Sequence, residues 1–188
     1  MKEGVKKIYL LDSAEHVFLN ENIINAYKEI YPESIKDSGL NKNKLEVLNY
    51  KSSSIPLVNE SCDIIYSNAV LEHVKDAEKT IAECYRVLKR SGIMMHQIDF
   101  RDHIFDQKSL FFLKLPKFIF DFLFSNIGGW VNRLRYSDWK SIFSKYNLKV
   151  RFENKEQDDI FTPKAILRKY SKEDIEVTGA LFVLEKEN

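Results

Sequence analysis

Residues 61–92, SCDIIYSNAVLEHVKDAEKTIAECYRVLKRSG, constrain this chain more than any other stretch, because strand, polar turn, amphipathic helix and glycine stop follow one another without interruption. Residues 62–67 are mostly apolar and alternate poorly, the pattern of a strand covered on both faces. They end on the small polar pair Ser67 and Asn68, and polar groups at the carboxyl end of a strand in an α/β sheet face a ligand. Asp76 is placed to cap a helix. Its apolar positions Ala77, Ile81, Cys84, Tyr85 and Leu88 share one face, and Gly92 sits where the next strand must begin.

The same reading extends along the chain. Residues 7–11, 45–48 and 93–98 read as strands and 17–30 as a helix. Strands alternating with helices imply a parallel sheet. Ser137 is placed to cap a helix carrying Trp139, Ile142, Phe143 and Tyr146, and a further helix is expected over residues 163–170. Residues 148–152 and 177–184 read as an antiparallel closing pair. No internal repeat, low-complexity tract or second-domain linker interrupts this order.

In SCDIIYSNAVLEHVKD and RVLKRSG the chain resembles the fourth-strand motif and following helix of class I S-adenosylmethionine-dependent methyltransferases, particularly the broad type 11 group. The likeness runs from about residue 4 to residue 185, with a more divergent middle over residues 104–134. It implies an α/β fold with a Rossmann-like sheet, mostly parallel with an antiparallel closing strand, and S-adenosyl-L-methionine as cofactor. It also implies one methyltransferase-like domain over residues 1–188, with residues 104–136 as an aromatic cap or flap. One family element is absent: the six glycines, at 4, 39, 92, 128, 129 and 179, nowhere form a Gly-x-Gly after a strand. Such glycines let backbone N–H groups approach a cofactor. The opening MKEGVKK resembles the tail of the family's first helix and IYLLD its second strand, so the expectation is an amino-terminally truncated sheet. Its central first strand would be unfilled, or replaced by direct pairing of the Ile8 and Ile64 strands.

Several residues carry candidate chemistry. Asp12 ends a strand, where a carboxylate can accept both hydrogen bonds of a ribose diol; it would equally suit a helix cap, and an NAD enzyme would place an acid similarly. The resemblance assigns Asp12 to the adenosyl ribose. In KSSSIPL, Lys51 stands where the family has an acid, leaving Ser52 to offer adenine its backbone N–H; a flexible polar loop is the alternative. Ser67 and Asn68 would face the methionine moiety. His73, His96 and His103 converge on one sheet edge, and a hydroxyl acceptor benefits from proton removal by such a group. Against this, His73 reads equally as a helix-start residue and His96 as a strand terminator. Glu72 reads as structural. Quinone-pathway relatives with an additional Glu three residues before the Glu-His pair bind a metal there; here that position is Ala69, so no metal is expected.

Partners follow from composition and from one aromatic segment. With 29 basic and 28 acidic residues and a net charge of +1, no broad basic field is available for nucleic acid. Two cysteines on apolar faces suggest core packing in a reducing compartment, and no apolar run reaches the roughly 20 residues of a membrane span, so the expected location is cytoplasmic. SLFFLKLPKFIFDFLF, residues 109–124, is open to three readings: a lid over an apolar acceptor, a peripheral membrane contact with its Phe residues inward, or a helical flap completing the core. Arg133 and Arg135 are candidates for an acidic or phosphorylated acceptor. Two functions remain. One is a small-molecule methyltransferase, inactive alone if its cofactor loop is missing; the other is a non-catalytic remnant or partner subunit.

Overall fold

β1 (Ile8–Asp12) and β4 (Leu45–Asn49) pair in parallel, with Ile8 opposite Leu45 and Asp12 opposite Asn49. Leu45 is fully buried, and Lys7 reaches across to Glu46 at 2.6 Å. Between them β2 (Ile35–Lys36) and β3 (Gly39–Leu40) make a short antiparallel pair. These strands belong to the first of two compact units, Met1–Leu57 and Val58–Asn188. The structure, a computed structural model, describes residues 5–12, 29, 35–36, 39–40, 43–50, 54–126, 130–162 and 164–187. The helix expected over residues 17–30 lies, but for Glu29, outside the described residues.

The second unit is built on a four-stranded sheet of order β5-β6-β8-β7, formed by β5 (Cys62–Asn68), β6 (Leu88–Asp99), β7 (Leu148–Gln157) and β8 (Val177–Lys186). β5 and β6 are parallel, joined by α1 (Ala77–Val87), while β8 runs antiparallel to both of its neighbours. The expected parallel crossover and antiparallel closing pair are therefore both present. The Asp76 carboxylate accepts from Lys79 N–H at 2.9 Å, as a cap should. Ala77, Ile81 and Cys84 face the core, where burial pushes the Cys84 thiol up to about 12.

Four local expectations are corrected. Leu88 is a strand residue, since α1 ends at Val87 and β6 begins at once. The turn beyond it is tight: a Cβ on Gly92 would lie 2.8 Å from the Leu88 side chain. β5 is not covered on both faces; it ends its sheet, and Ile64 and Tyr66 are 64% and 63% exposed. Ser137 does not cap its helix, α3 (Tyr136–Lys145), because Asp174 takes both its N–H and its hydroxyl at 2.9 Å. The Asp138 carboxylate instead accepts from Arg135 N–H at 2.8 Å. Trp139, Ile142 and Phe143 are buried as expected, and Tyr146 follows the helix. Finally, the region expected as one helix holds α4 (Lys164–Leu167), after which Ser171 caps a further helix, α5 (Lys172–Glu176).

The aromatic segment forms a 3-10 turn, Phe111–Lys114, and α2 (Lys117–Phe124). Leu110, Phe112, Leu113 and Phe120 pack in one cluster with Trp130, Val131, Ile166 of α4 and Ile175 of α5. Arg135 underlies this region. Its buried guanidinium donates to the carbonyls of Phe100, Asp174 and Val177, and burial lowers it to about 10.

Candidate functional site

The carboxyl ends of β5 and β6 lie side by side, with Ser67 opposite His96 and Asn68 opposite Gln97. Beyond them the chain turns sharply. Ala69 adopts a φ of 51°, and its N–H bonds Gln97 O at 3.0 Å, which holds Asn68 exposed at the edge. Ser67 is not left open: its hydroxyl and His96 Nδ1 are 2.8 Å apart. His96 is 1% exposed and shares the core face of β6 with the fully buried Met94 and Ile98. Burial lowers its pKa to about 4, which keeps the ring neutral at physiological pH.

His73 and His103 are placed differently. Their ring centroids are 5.3 Å apart. His73 Nδ1 lies 2.7 Å from Trp130 O, and since a carbonyl only accepts, that nitrogen carries a proton and Nε2 is the ring atom turned to other partners. His103 Nε2 lies 3.4 Å from Asp99 Oδ2. Burial alone would raise the Asp99 carboxyl, but hydrogen bonds from the Arg101 side chain and backbone outweigh it and hold the group below its ordinary range. Of the three candidate histidines, two therefore meet at the edge and the third is locked into the sheet.

Beside them stand Glu72, which the sequence suggested as structural, and Arg133, which it offered as an acceptor contact; their pairing at one cleft was not anticipated. Glu72 is 3% exposed and neither carboxylate oxygen has a hydrogen-bond partner; burial raises its pKa above the ordinary value. Arg133 holds the carbonyls of Leu113 and Leu115 through Nη2 at 3.0 and 2.8 Å, while Nη1 is buried without a partner. Both line one small cleft with Asp99, Arg101 and Asn132. An unpaired acceptor and an unpaired donor facing one cleft suit a bridging water or a small polar ligand. Periodicity offers no signal for either, because both sit in turns. Arg135 has no such freedom, for its guanidinium is already shared among three carbonyls.

The remaining sequence candidates are only partly described. Asp12 is the last residue of β1, and its side chain lies outside what the structure describes, as does Ser52 altogether. Among the described residues, no group of three or more His, Cys, Asp or Glu is arranged to hold a metal ion.

Residues 19–96 match a family described as "Methyltransferase domain". A protein of Mycobacterium tuberculosis bearing the name of an S-adenosylmethionine-dependent methyltransferase is 35% identical over 52 residues, which is 28% of this chain and 19% of the relative. The matched stretch thus spans about a fifth of the length of that relative. Among solved structures, an S-adenosylmethionine-dependent methyltransferase from Mesorhizobium loti superposes with a TM-score of 0.60 at 13% identity, covering 97% of this chain and 81% of the other. A chain from the Haloferax volcanii complex that contains the Trm112 methyltransferase activator gives 0.58 at 16%, covering 97% and 73%. At these identities the structural likeness establishes the fold.

Proposed function

We propose that this chain is a class I S-adenosylmethionine-dependent methyltransferase, on the match of residues 19–96 to a methyltransferase domain and on the shared fold, and that it serves methyl transfer to a small-molecule acceptor at the carboxyl edge of β5 and β6. The observation that carries this reading is the edge itself. Ser67 is fixed by His96, Asn68 is exposed beside it, and the turn holding Glu72 and His73 rises directly beyond.

The chemistry of the edge suits the amino-acid end of the cofactor, since a carboxamide such as Asn68 both donates to a carboxylate and accepts from an ammonium. Asp12 and Ser52 remain proposed contacts for ribose and adenine through the family resemblance. The cofactor, when bound, supplies an electrophilic methyl group on sulfur. The chain's own contribution is to position the acceptor and to take its proton. His73 is the favoured proton acceptor, because its Nδ1 proton is held by Trp130 O and, in the neutral ring, its Nε2 lone pair is left available. His103 lies against it and is oriented by Asp99. His96, proposed from sequence for the same role, is better suited to holding Ser67 in place. We place this activity in the cytoplasm on cysteine usage; among the described residues, no helix is long and apolar enough to cross a membrane.

A second reading stands beside the first: a non-catalytic methyltransferase remnant or partner subunit. On that reading the chain keeps acceptor-side scaffolding and acts as a non-catalytic partner. Calorimetry with S-adenosylmethionine distinguishes the two. The methyltransferase reading expects weak, millimolar-range binding by this chain, further weakened by Asn68→Ala and by Asp12→Ala. No binding at millimolar cofactor, with no NMR shift at Ser67 or Asn68, would leave only the partner reading.

A further inference from the structure

α2 is fixed to the protein by one side and presents bare phenylalanines on the other. Phe120 is fully buried, with ring centroids 6.2 Å from Phe112 and 5.1 Å from Phe124. Asp121 accepts from Trp130 Nε1 at 3.1 Å and pairs with Lys117 one turn away. These contacts set the helix's rotation, so Phe118 and Phe122, four residues apart on the opposite stripe, point outward. They are 74% and 85% exposed. Two neighbouring rings are also exposed, Phe111 and Phe161, with centroids 6.0 Å apart. A core flap would turn such residues inward, and a solvated helix would not carry them.

The charge around this face is mainly positive. Residues 107–125 contain Lys108, Lys114 and Lys117 against a single acid, Asp121, which Lys117 already neutralises. Lys114 Nζ lies 5.0 Å over the Phe111 ring. Residues 160–172, whose helix α4 shares the core of α2 through Ile166, add Lys164, Arg168, Lys169 and Lys172, all exposed, while the acids Asp106, Asp158 and Asp159 flank the two segments. The whole chain carries a net charge of only +1, so this cationic rim is a local feature. Exposed aromatics flanked by lysines, on a helix whose other side is anchored, match the two components of an anionic bilayer interface. The rings enter the acyl boundary and the ammonium groups meet headgroup phosphate and carboxylate.

We propose that the outward face of α2, with Phe118 and Phe122 as its inserting residues and Lys114 and Lys164 on its rim, docks the protein on an anionic lipid surface. This docking is independent of whether the chain binds cofactor. Co-sedimentation with vesicles of phosphatidylcholine, with and without about one-third phosphatidylserine, tests it. The intact chain is expected to pellet with the anionic vesicles, less with the neutral ones, and to be released by high salt. Phe118→Ser/Phe122→Ser should lower partitioning by at least about tenfold with an unchanged far-ultraviolet circular dichroism spectrum. Lys114→Gln/Lys164→Gln should weaken only the anionic-lipid component. Absence of binding to anionic vesicles at low salt would overturn the proposal, as would a Phe variant that pellets like the parent. Self-association of the free chain that the Phe substitutions abolish, without vesicle binding, would overturn it in favour of a protein contact.

Discussion

His96 titrates in a direction its place in the sheet determines. It is held neutral with a pKa of about 4, against 6.5 for the free side chain. An unfolded chain therefore takes up a proton at this residue that the folded one refuses, and stability falls as pH drops from about 6.5 toward 4. The two values imply on the order of 3 kcal/mol across that window. His96→Asn should flatten this limb of a urea-denaturation series against pH; an unchanged limb would show that the ring is not buried as described. Glu72 behaves oppositely. Its folded pKa lies above the ordinary value, so its carboxylate form is the disfavoured one and stability declines as pH rises past about 4.5. Glu72→Gln should remove that decline, read in the same series. The alternation of Met94, His96 and Ile98 with period two puts His96 on the core face, a signal that its reading as an edge base or strand terminator passed over. The meeting of Glu72 and Arg133 at one cleft was not legible, because no periodicity governs a turn residue, and the Glu72 turn is bonded to Asn132, sixty residues on.

Among the elements, α1 and α3 show why one helix start was readable and the other was not. Asp76 is followed by its own helix, and the Lys79 N–H it accepts is local, so a propensity argument suffices. Asp76→Ala should cost about 1 kcal/mol, seen as a lower urea midpoint with an unchanged slope. Ser137 has the same local appearance. It is claimed by Asp174, 37 residues on, which also accepts from the Ser171 hydroxyl at 2.9 Å. Asp174 thereby ties the start of α3 to the start of α5, and it is 5% exposed. Asp174→Ala strands several donors at once and should cost about 2–4 kcal/mol, more than the Asp76 change, in the same denaturation measurement. A smaller loss than at Asp76 would mean that the tie is not structural. Gly92 was read as a helix stop from its position. The structure adds a steric reason, since the Leu88 side chain fills the space a Cβ would need.

At the scale of the whole molecule, the order β5-β6-β8-β7 was legible through the family resemblance more than through periodicity. Hydrophobic patterning finds strands, but whether the last strand of a chain pairs beside β6 or beside β7 alone is decided by packing. The outer exposure of β5 was missed for a related reason. An apolar run reads as buried on both faces, yet Ile64 and Tyr66 are bare because β5 has a single neighbour in its sheet. The second unit holds all four strands of that sheet, the cluster around Phe120 and Trp130, and the Arg135 clasp. These interactions are formed within residues 58–188, and that fragment is expected to fold alone. The fragment is expected to give a native-like circular dichroism spectrum and one cooperative urea transition. Its exposed apolar edge at β5 makes it prone to edge-to-edge association. Tyr66→Lys, which puts a charge on that edge, should therefore reduce light scattering at raised concentration without lowering the transition midpoint. A fragment that shows no cooperative transition even with the substitution would show that the second unit depends on the first.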